Sequence, residues 1–230
     1  MHKNSQTFNV NILTLFPEIF PGSLDVSLLG KALRKKVWQI NTINIRDFAI
    51  NKQKSVDDTP YGGGAGMVMR PDIINLALES ISNLNFPKIC LSAKGSKLTQ
   101  SMAVKLSKES GLILLCGRYE GIDQRVIDYN NFEEISIGDY VLPGGESAAI
   151  VLLESVLRLL PNVLGGENTL DEESFNNEML LEYPHYTKPK EWKGIHVPEI
   201  LVSGDHKKIQ TWRNEKRLEI TKKKRPDLIN

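Results

Sequence analysis

The chain has 230 residues, 29 Lys plus Arg against 28 Asp plus Glu, two Cys and 40% apolar residues. A chain of this length buries a core without disulfide staples, so a stapled mini-protein is excluded, and a net charge of +1 excludes a uniformly basic nucleic-acid binder of the histone type. The near-neutral total hides two opposed blocks: residues 207–225 carry nine basic and two acidic side chains, and residues 167–182 carry six acidic and no basic ones, which directs any polyanion to the end of the chain.

Short β-type runs alternate with helical stretches along most of the sequence. In chain order the predicted pairs are 9–15 then 24–36, 39–45 then a polar loop, 88–92 then 99–109, 112–116 then 122–129, and 134–137 then 146–160. Such alternation predicts a parallel α/β sheet, and the continuous apolar run Leu112–Cys116 predicts a strand covered by helices on both faces. Ala148–Leu160 is the most apolar stretch, but it contains Glu154 and Arg158 and reads as a core helix. No uncharged apolar window approaches the ~18 residues of a membrane span, and the first ten residues carry no apolar core of a secretory leader. Cys90 and Cys116 sit in apolar runs, as buried thiols do, which points to the cytosol.

After Pro161 the composition turns to Gly, Asn and acidic residues with no period, and reads as a linker. Beyond it, the Pro- and aromatic-bearing stretch Tyr183–Trp192 precedes a Lys/Arg-rich helix, with Ser203 as its expected N-cap and an end near Ile220. The expected organisation is thus a sheet domain over 1–161, a flexible linker over 162–180 and a small, mostly helical domain over 181–230.

Glycine-rich segments recur at predicted strand ends: 61–66 (YGGGAG), 116–121 (CGRYEG) and 136–145 (SIGDYVLPGG). Neither a P-loop nor a dinucleotide fingerprint fits them. Each alone reads as an ordinary turn; together they read as a crevice at the carboxyl ends of parallel strands, where backbone groups could hold a nucleoside. Asp171, Glu172 and Glu173 read either as a solvated acidic loop or as a source of a base. Arg158, on an otherwise apolar helix, must reach outward or meet an anion. His185, His196 and His206 lack ligand spacing, so no protein metal site is expected. Lys207, Lys208, Arg213, Lys216 and Arg217 crowd into three turns with Trp212 among them, a composition shared by soluble terminal helices and phosphate-contacting surfaces.

The segments LTLFPEIF (13–20), VDDTPYGGGAGMVM (56–69), CGRYEGID (116–123), SIGDYVLPGGE (136–146), PNVLG (161–165) and YPHYTKP (183–189) together resemble the bacterial tRNA (guanine-N1)-methyltransferases of the TrmD family. The resemblance implies a SPOUT-type α/β domain with a deep trefoil knot, a homodimer with its active site between subunits, S-adenosylmethionine as methyl donor and the tRNA anticodon stem-loop as partner. Mg2+ is also associated with the family. Carried onto this sequence, the cofactor site falls on Leu91 and Ser92, on Gly117, Tyr119 and Glu120, on Ile137, Gly138, Asp139, Tyr140, Val141 and Leu142, and on Gly144 and Gly145. The catalytic arginine falls on Arg158. The catalytic aspartate falls on Glu173, a departure that keeps the carboxylate but adds a methylene; Asp171 is the alternative. Lys207, Lys208 and Arg213 are expected to grip tRNA.

The implied reaction methylates N1 of the guanosine at position 37, immediately 3′ of the anticodon, with Glu173 removing the N1 proton and Arg158 stabilising charge on O6. The competing readings are a ribose-methylating SPOUT enzyme, a SPOUT RNA-binding protein with weak or no catalysis, and a nucleotide-dependent switch.

Overall fold

The computed structural model describes residues 7–164, 173–175 and 179–229, and the chain divides after Leu164 into two compact units. The first unit opens with β1 (Phe8–Thr14), α1 (Ser27–Arg34) and β2 (Trp38–Asn44). A short antiparallel ladder follows, β3 (Asp57–Asp58) with β4 (Val68–Met69), and then α2 (Pro71–Glu79). It is completed by β5 (Lys88–Lys97), α3 (Gln100–Leu106), β6 (Gly111–Cys116), α4 (Gln124–Tyr129), β7 (Glu133–Ser136) and α5 (Glu146–Leu157). Five of these strands form one sheet in the order β2-β1-β6-β5-β7, and every pairing in it is parallel.

Strand β6 shows why the sheet is covered on both sides. All its residues are buried, and the two-residue period of a strand sends alternate side chains to opposite faces. Leu112, Leu114 and Cys116 pack in a cluster with residues of α3 and α5, while Ile113 and Leu115 pack in another with residues of α2 and α4. An apolar run without polar alternation is the sequence form of such a strand.

The stretch after Ile45, expected to be only a polar loop, contains α2. Pro71 suits a first helical turn because its φ is already fixed, and Ile73, Ile74, Ala77 and Leu78 bury one face of the helix. The glycine segment 61–66 also departs from expectation: it joins β3 to β4 rather than following a strand of the main sheet.

In the second unit, β8 (Glu191–Trp192) and β9 (Ile195–His196) form a hairpin, and α6 (His206–Lys224) is the principal element. Ser203 is not its N-cap. Asp205 caps it, accepting the Lys208 N–H at 3.1 Å, and Ser203 Oγ instead accepts the Asp205 N–H at 3.2 Å. A carboxylate at the positive end of a helix dipole is the better charge match. The helix also continues past Ile220 to Lys224. Residues 165–172 and 176–178 of the expected linker, Asp171 included, lie outside the described residues.

Candidate functional site

A cavity of 330 Å³ opens at the carboxyl ends of β5, β6 and β7. Its first wall comes from a break in the β5–β7 ladder. Leu91 and Ser96 both pair with Ile135, so the intervening residues leave the sheet, and Ser92, Ala93 and Lys94 line the cavity. Irregularities of this kind commonly re-aim residues beside a site. The second wall is the turn after β6, where Gly121 has φ 121° and Tyr119 φ 59°. That turn is tied to β4 and the residue before it: Glu120 N–H donates to Met67 O at 2.9 Å and Met69 N–H to Gly121 O at 2.9 Å. Asp123 caps α4, and the Arg125 guanidinium bonded to it holds its carboxyl below the usual range.

The third wall runs from Ile137 to Gly145. Ser136 Oγ donates to Gly138 O at 3.0 Å and accepts its N–H at 3.2 Å, making a tight turn. At the far end Gly145 N–H donates to Gly117 O at 2.9 Å, which brings two walls together. A Cβ on Gly145 would lie 2.9 Å from Cys116 Cα, so only glycine fits there.

Beneath this wall is a polar group that the sequence did not single out. Glu146, the first residue of α5, is 2% exposed. One of its oxygens accepts the Thr14 hydroxyl at 2.8 Å, and the other lies 2.9 Å from Arg118 Nε. Among the described residues, neither Arg118 Nε nor Glu146 Oε2 makes a hydrogen bond, so their contact is an ion pair without hydrogen-bond alignment. The available signal was a charged residue at each edge of a glycine-rich turn, in GRYEG and in PGGE.

Arg158 is the C-cap of α5 and half-buried, where a cation suits the negative end of the helix. Glu173 is also half-buried and begins a short anchored turn. Ser174 Oγ accepts the Glu182 N–H at 2.9 Å, Phe175 N–H donates to Leu180 O at 3.0 Å, and Leu181 N–H donates to Thr221 Oγ1 of α6 at 2.9 Å.

The family model described as tRNA (Guanine-1)-methyltransferase TrmD matches residues 8–230. The chain belongs to the TrmD family. It is 50% identical over 225 residues to the tRNA (guanine-N(1)-)-methyltransferase of Ehrlichia ruminantium (strain Gardel), covering 97% of this chain and 96% of the relative. Identity to the enzyme of the same name from Wolbachia pipientis wMel is 52% over 226 residues (97% and 96% covered), and to that from Brucella ovis 51% over 226 residues (98% and 93% covered).

Of the residues expected to hold a TrmD cofactor, Leu91, Ser92, Gly117, Tyr119 and Glu120 border the cavity, as do Ile137, Gly138 and Tyr140 through Leu142, Gly144 and Gly145. Asp139 does not. Its side chain is 89% exposed and pairs with Lys97 Nζ at 3.2 Å, outside the cavity. The 61–66 segment does not line the cavity either, although Gly66 packs so closely on Glu120 that a Cβ would lie 2.4 Å from its Cγ. The buried Cys90 thiol is pushed up to about 12 and Cys116 well above its ordinary value, chiefly by burial, so neither offers a thiolate at neutral pH.

On α6, Lys207 and Lys208 are exposed, Arg213 is half-buried with its guanidinium 4.7 Å from the Tyr183 ring centroid, and Arg217 is 7% exposed. Arg217 therefore belongs to the interior rather than to a basic outer face. Among the described residues, no group of three or more His, Cys, Asp and Glu side chains could hold a metal ion. Nor is any helix among them long and apolar enough to cross a membrane.

Proposed function

We propose that this chain transfers a methyl group from S-adenosylmethionine to N1 of the guanosine at position 37 of tRNA, immediately 3′ of the anticodon. The observation that carries the reading is the cavity at the carboxyl edge of a parallel sheet, walled in large part by the glycine turns at 116–121 and 136–145, in a chain of the TrmD family. Its 330 Å³ falls within the ~300–1,000 Å³ usual for small-molecule sites. Leu91, Ile137 and Leu142 offer apolar surface for an adenine, the glycine-rich backbone offers donors and acceptors, and Glu120 and Glu134 bring negative charge suited to a cationic ligand. S-adenosylmethionine would supply a methyl group already activated on sulfur.

The protein's part is deprotonation and charge placement. Guanine N1 carries a proton at neutral pH, and its lone pair becomes nucleophilic once Glu173 accepts that proton. The released charge gathers on O6, where the Arg158 guanidinium stabilises it. Anchoring of the 173–175 turn to Glu182 and Leu180 supports a defined placement for Glu173. Lys207, Lys208 and Arg213 supply cationic groups for tRNA phosphates, and the deeply buried thiols suit a reducing cytoplasm. The SPOUT knot and a homodimer complete the reading. Both are what membership of the family implies.

Tritiated S-adenosylmethionine with unmodified tRNA bearing guanosine or adenosine at position 37 tests the proposal. Label on N1 of guanosine alone is expected. Tight tRNA and cofactor binding with no transfer would replace it with an RNA-binding role.

A further inference from the structure

Given the cavity's reading as the cofactor site, we infer that Arg118 is a positioning residue that fixes the 140–145 wall, and that Glu146 and Thr14 hold Arg118 in place. The wall needs such a device. Within the subunit, Tyr140 is 55% and Val141 89% exposed, and Leu142 and Pro143 are exposed as well, so the stretch sends no side chain into its own core to pin its path. Its carboxyl end is held by the Gly145–Gly117 bond. The preceding residues meet Arg118: Nη1 donates to Pro143 O at 3.4 Å, and the side chain fills the space where a Gly144 Cβ would sit, 2.3 Å from Nε.

Arg118 is itself gripped from below. Its guanidinium carbon stands 4.4 Å from the Phe16 ring centroid, and Nε faces the buried Glu146 carboxylate. Thr14 closes the chain of contacts, donating its hydroxyl to Glu146 and accepting the Phe16 N–H at 3.0 Å. The end of β1, the turn after β6, the cavity wall and the start of α5 thus converge on one guanidinium.

Stability alone is a poor account of this arrangement. A buried ion pair gives up hydration and is often matched or bettered by an apolar pair of the same volume, and here Nε and Oε2 lack hydrogen-bond alignment. What an apolar pair could not do is donate to Pro143 O while holding residue 144 at a fixed distance. The contribution is to wall shape, and hence to cofactor affinity, without touching the base that reacts.

The test uses the full chain, with S-adenosylhomocysteine binding measured by calorimetry beside thermal unfolding. Arg118→Lys keeps a cation opposite Glu146 but loses the planar fork. It is expected to melt close to the wild type, to weaken S-adenosylhomocysteine about tenfold or more, and to raise KM for S-adenosylmethionine while kcat at saturation stays within about twofold. Arg118→Met strands the Glu146 charge and should melt early; adding Glu146→Gln should restore the melting temperature without restoring affinity. Wild-type affinity in Arg118→Lys, recovery of affinity together with stability in the double variant, or a fall in kcat at unchanged KM would each overturn the inference while leaving the cofactor site intact. A wild-type chain that binds no S-adenosylhomocysteine would overturn the site's reading and the inference with it.

Discussion

Gly145→Ala isolates how tightly two cavity walls are joined. Gly145 has φ −80° and ψ −11°, which alanine adopts freely, so backbone strain plays no part. On conformational entropy alone the change would stabilise by about 0.4–1 kcal/mol through the unfolded chain. Space decides the other way. The new methyl carbon would lie 2.9 Å from Cys116 Cα, 3.0 Å from Gly117 N and 3.3 Å from Cys116 C, all backbone that cannot rotate aside.

Reaching ordinary carbon contacts of about 3.5–4.0 Å requires the walls to part by roughly 0.5–1 Å. That movement stretches the 2.9 Å bond from Gly145 N–H to Gly117 O beyond hydrogen-bond range. Overpacking of about 1–3 kcal/mol and a broken hydrogen bond of about 0.5–1.5 kcal/mol outweigh the entropic gain, leaving a net loss near 2 kcal/mol. For a chain of this size the melting temperature should fall by roughly 4–8 °C. Because residues 117 and 145 both border the cavity, S-adenosylhomocysteine should also bind more weakly, about tenfold for each 1.4 kcal/mol the ligand must supply to close the walls. Differential scanning fluorimetry with and without the ligand reads both effects. An unchanged melting temperature together with unchanged affinity would refute the close-approach reasoning.

Glu173→Gln should lower single-turnover methylation by about 10²–10⁴-fold with cofactor affinity preserved, and a full rate would move the base to Asp171. Neutralising Lys207, Lys208 and Arg213 together should weaken tRNA binding and flatten its salt dependence, by a log–log slope of roughly 0.7–0.9 for each phosphate no longer neutralised, with cofactor binding kept; an unchanged slope would remove these residues from the interface. Both thiols are raised in the folded chain, so the stability they contribute is complete below the unfolded value near ~8.5 and is lost as pH rises above it, because the unfolded chain ionises first. The urea midpoint should therefore fall from about pH 8.5 to about pH 10.5, and less steeply in Cys90→Ala/Cys116→Ala. Rapid labelling of either thiol in the native protein at about pH 8 would contradict the burial that causes the shift.

Much of the sheet domain was legible because its signals are local. The Leu112–Cys116 run is apolar at every position, which a strand tolerates only when both faces are covered, and the structure buries it between two clusters. The glycine turns at 116–121 and 136–145 also marked the cavity from sequence, since backbone that must turn sharply requires glycine at particular places. The helix over Pro71–Glu79 was readable from its Pro at the first turn and its apolar spacing, but the glycine-rich segment before it masked the change of pattern. Ser203 and Asp205 are both good caps, and only the turn at Gly204, with φ 77°, decided between them.

By itself the sequence determined the alternation that makes a parallel sheet, the opposed charge blocks and the motifs that place the chain in its family, because each depends on residues close together in the chain. Tertiary structure alone decided which side chains meet across long separations. Thr14 and Glu146 are 132 residues apart and share a buried hydrogen bond; Asp139 sits amid the cavity wall in sequence yet turns outward to Lys97; Arg217 lies among basic neighbours yet is buried. Charge and polarity can be read from composition, but whether a charged group faces water, a ligand or a buried partner depends on the packing of segments that the sequence keeps apart.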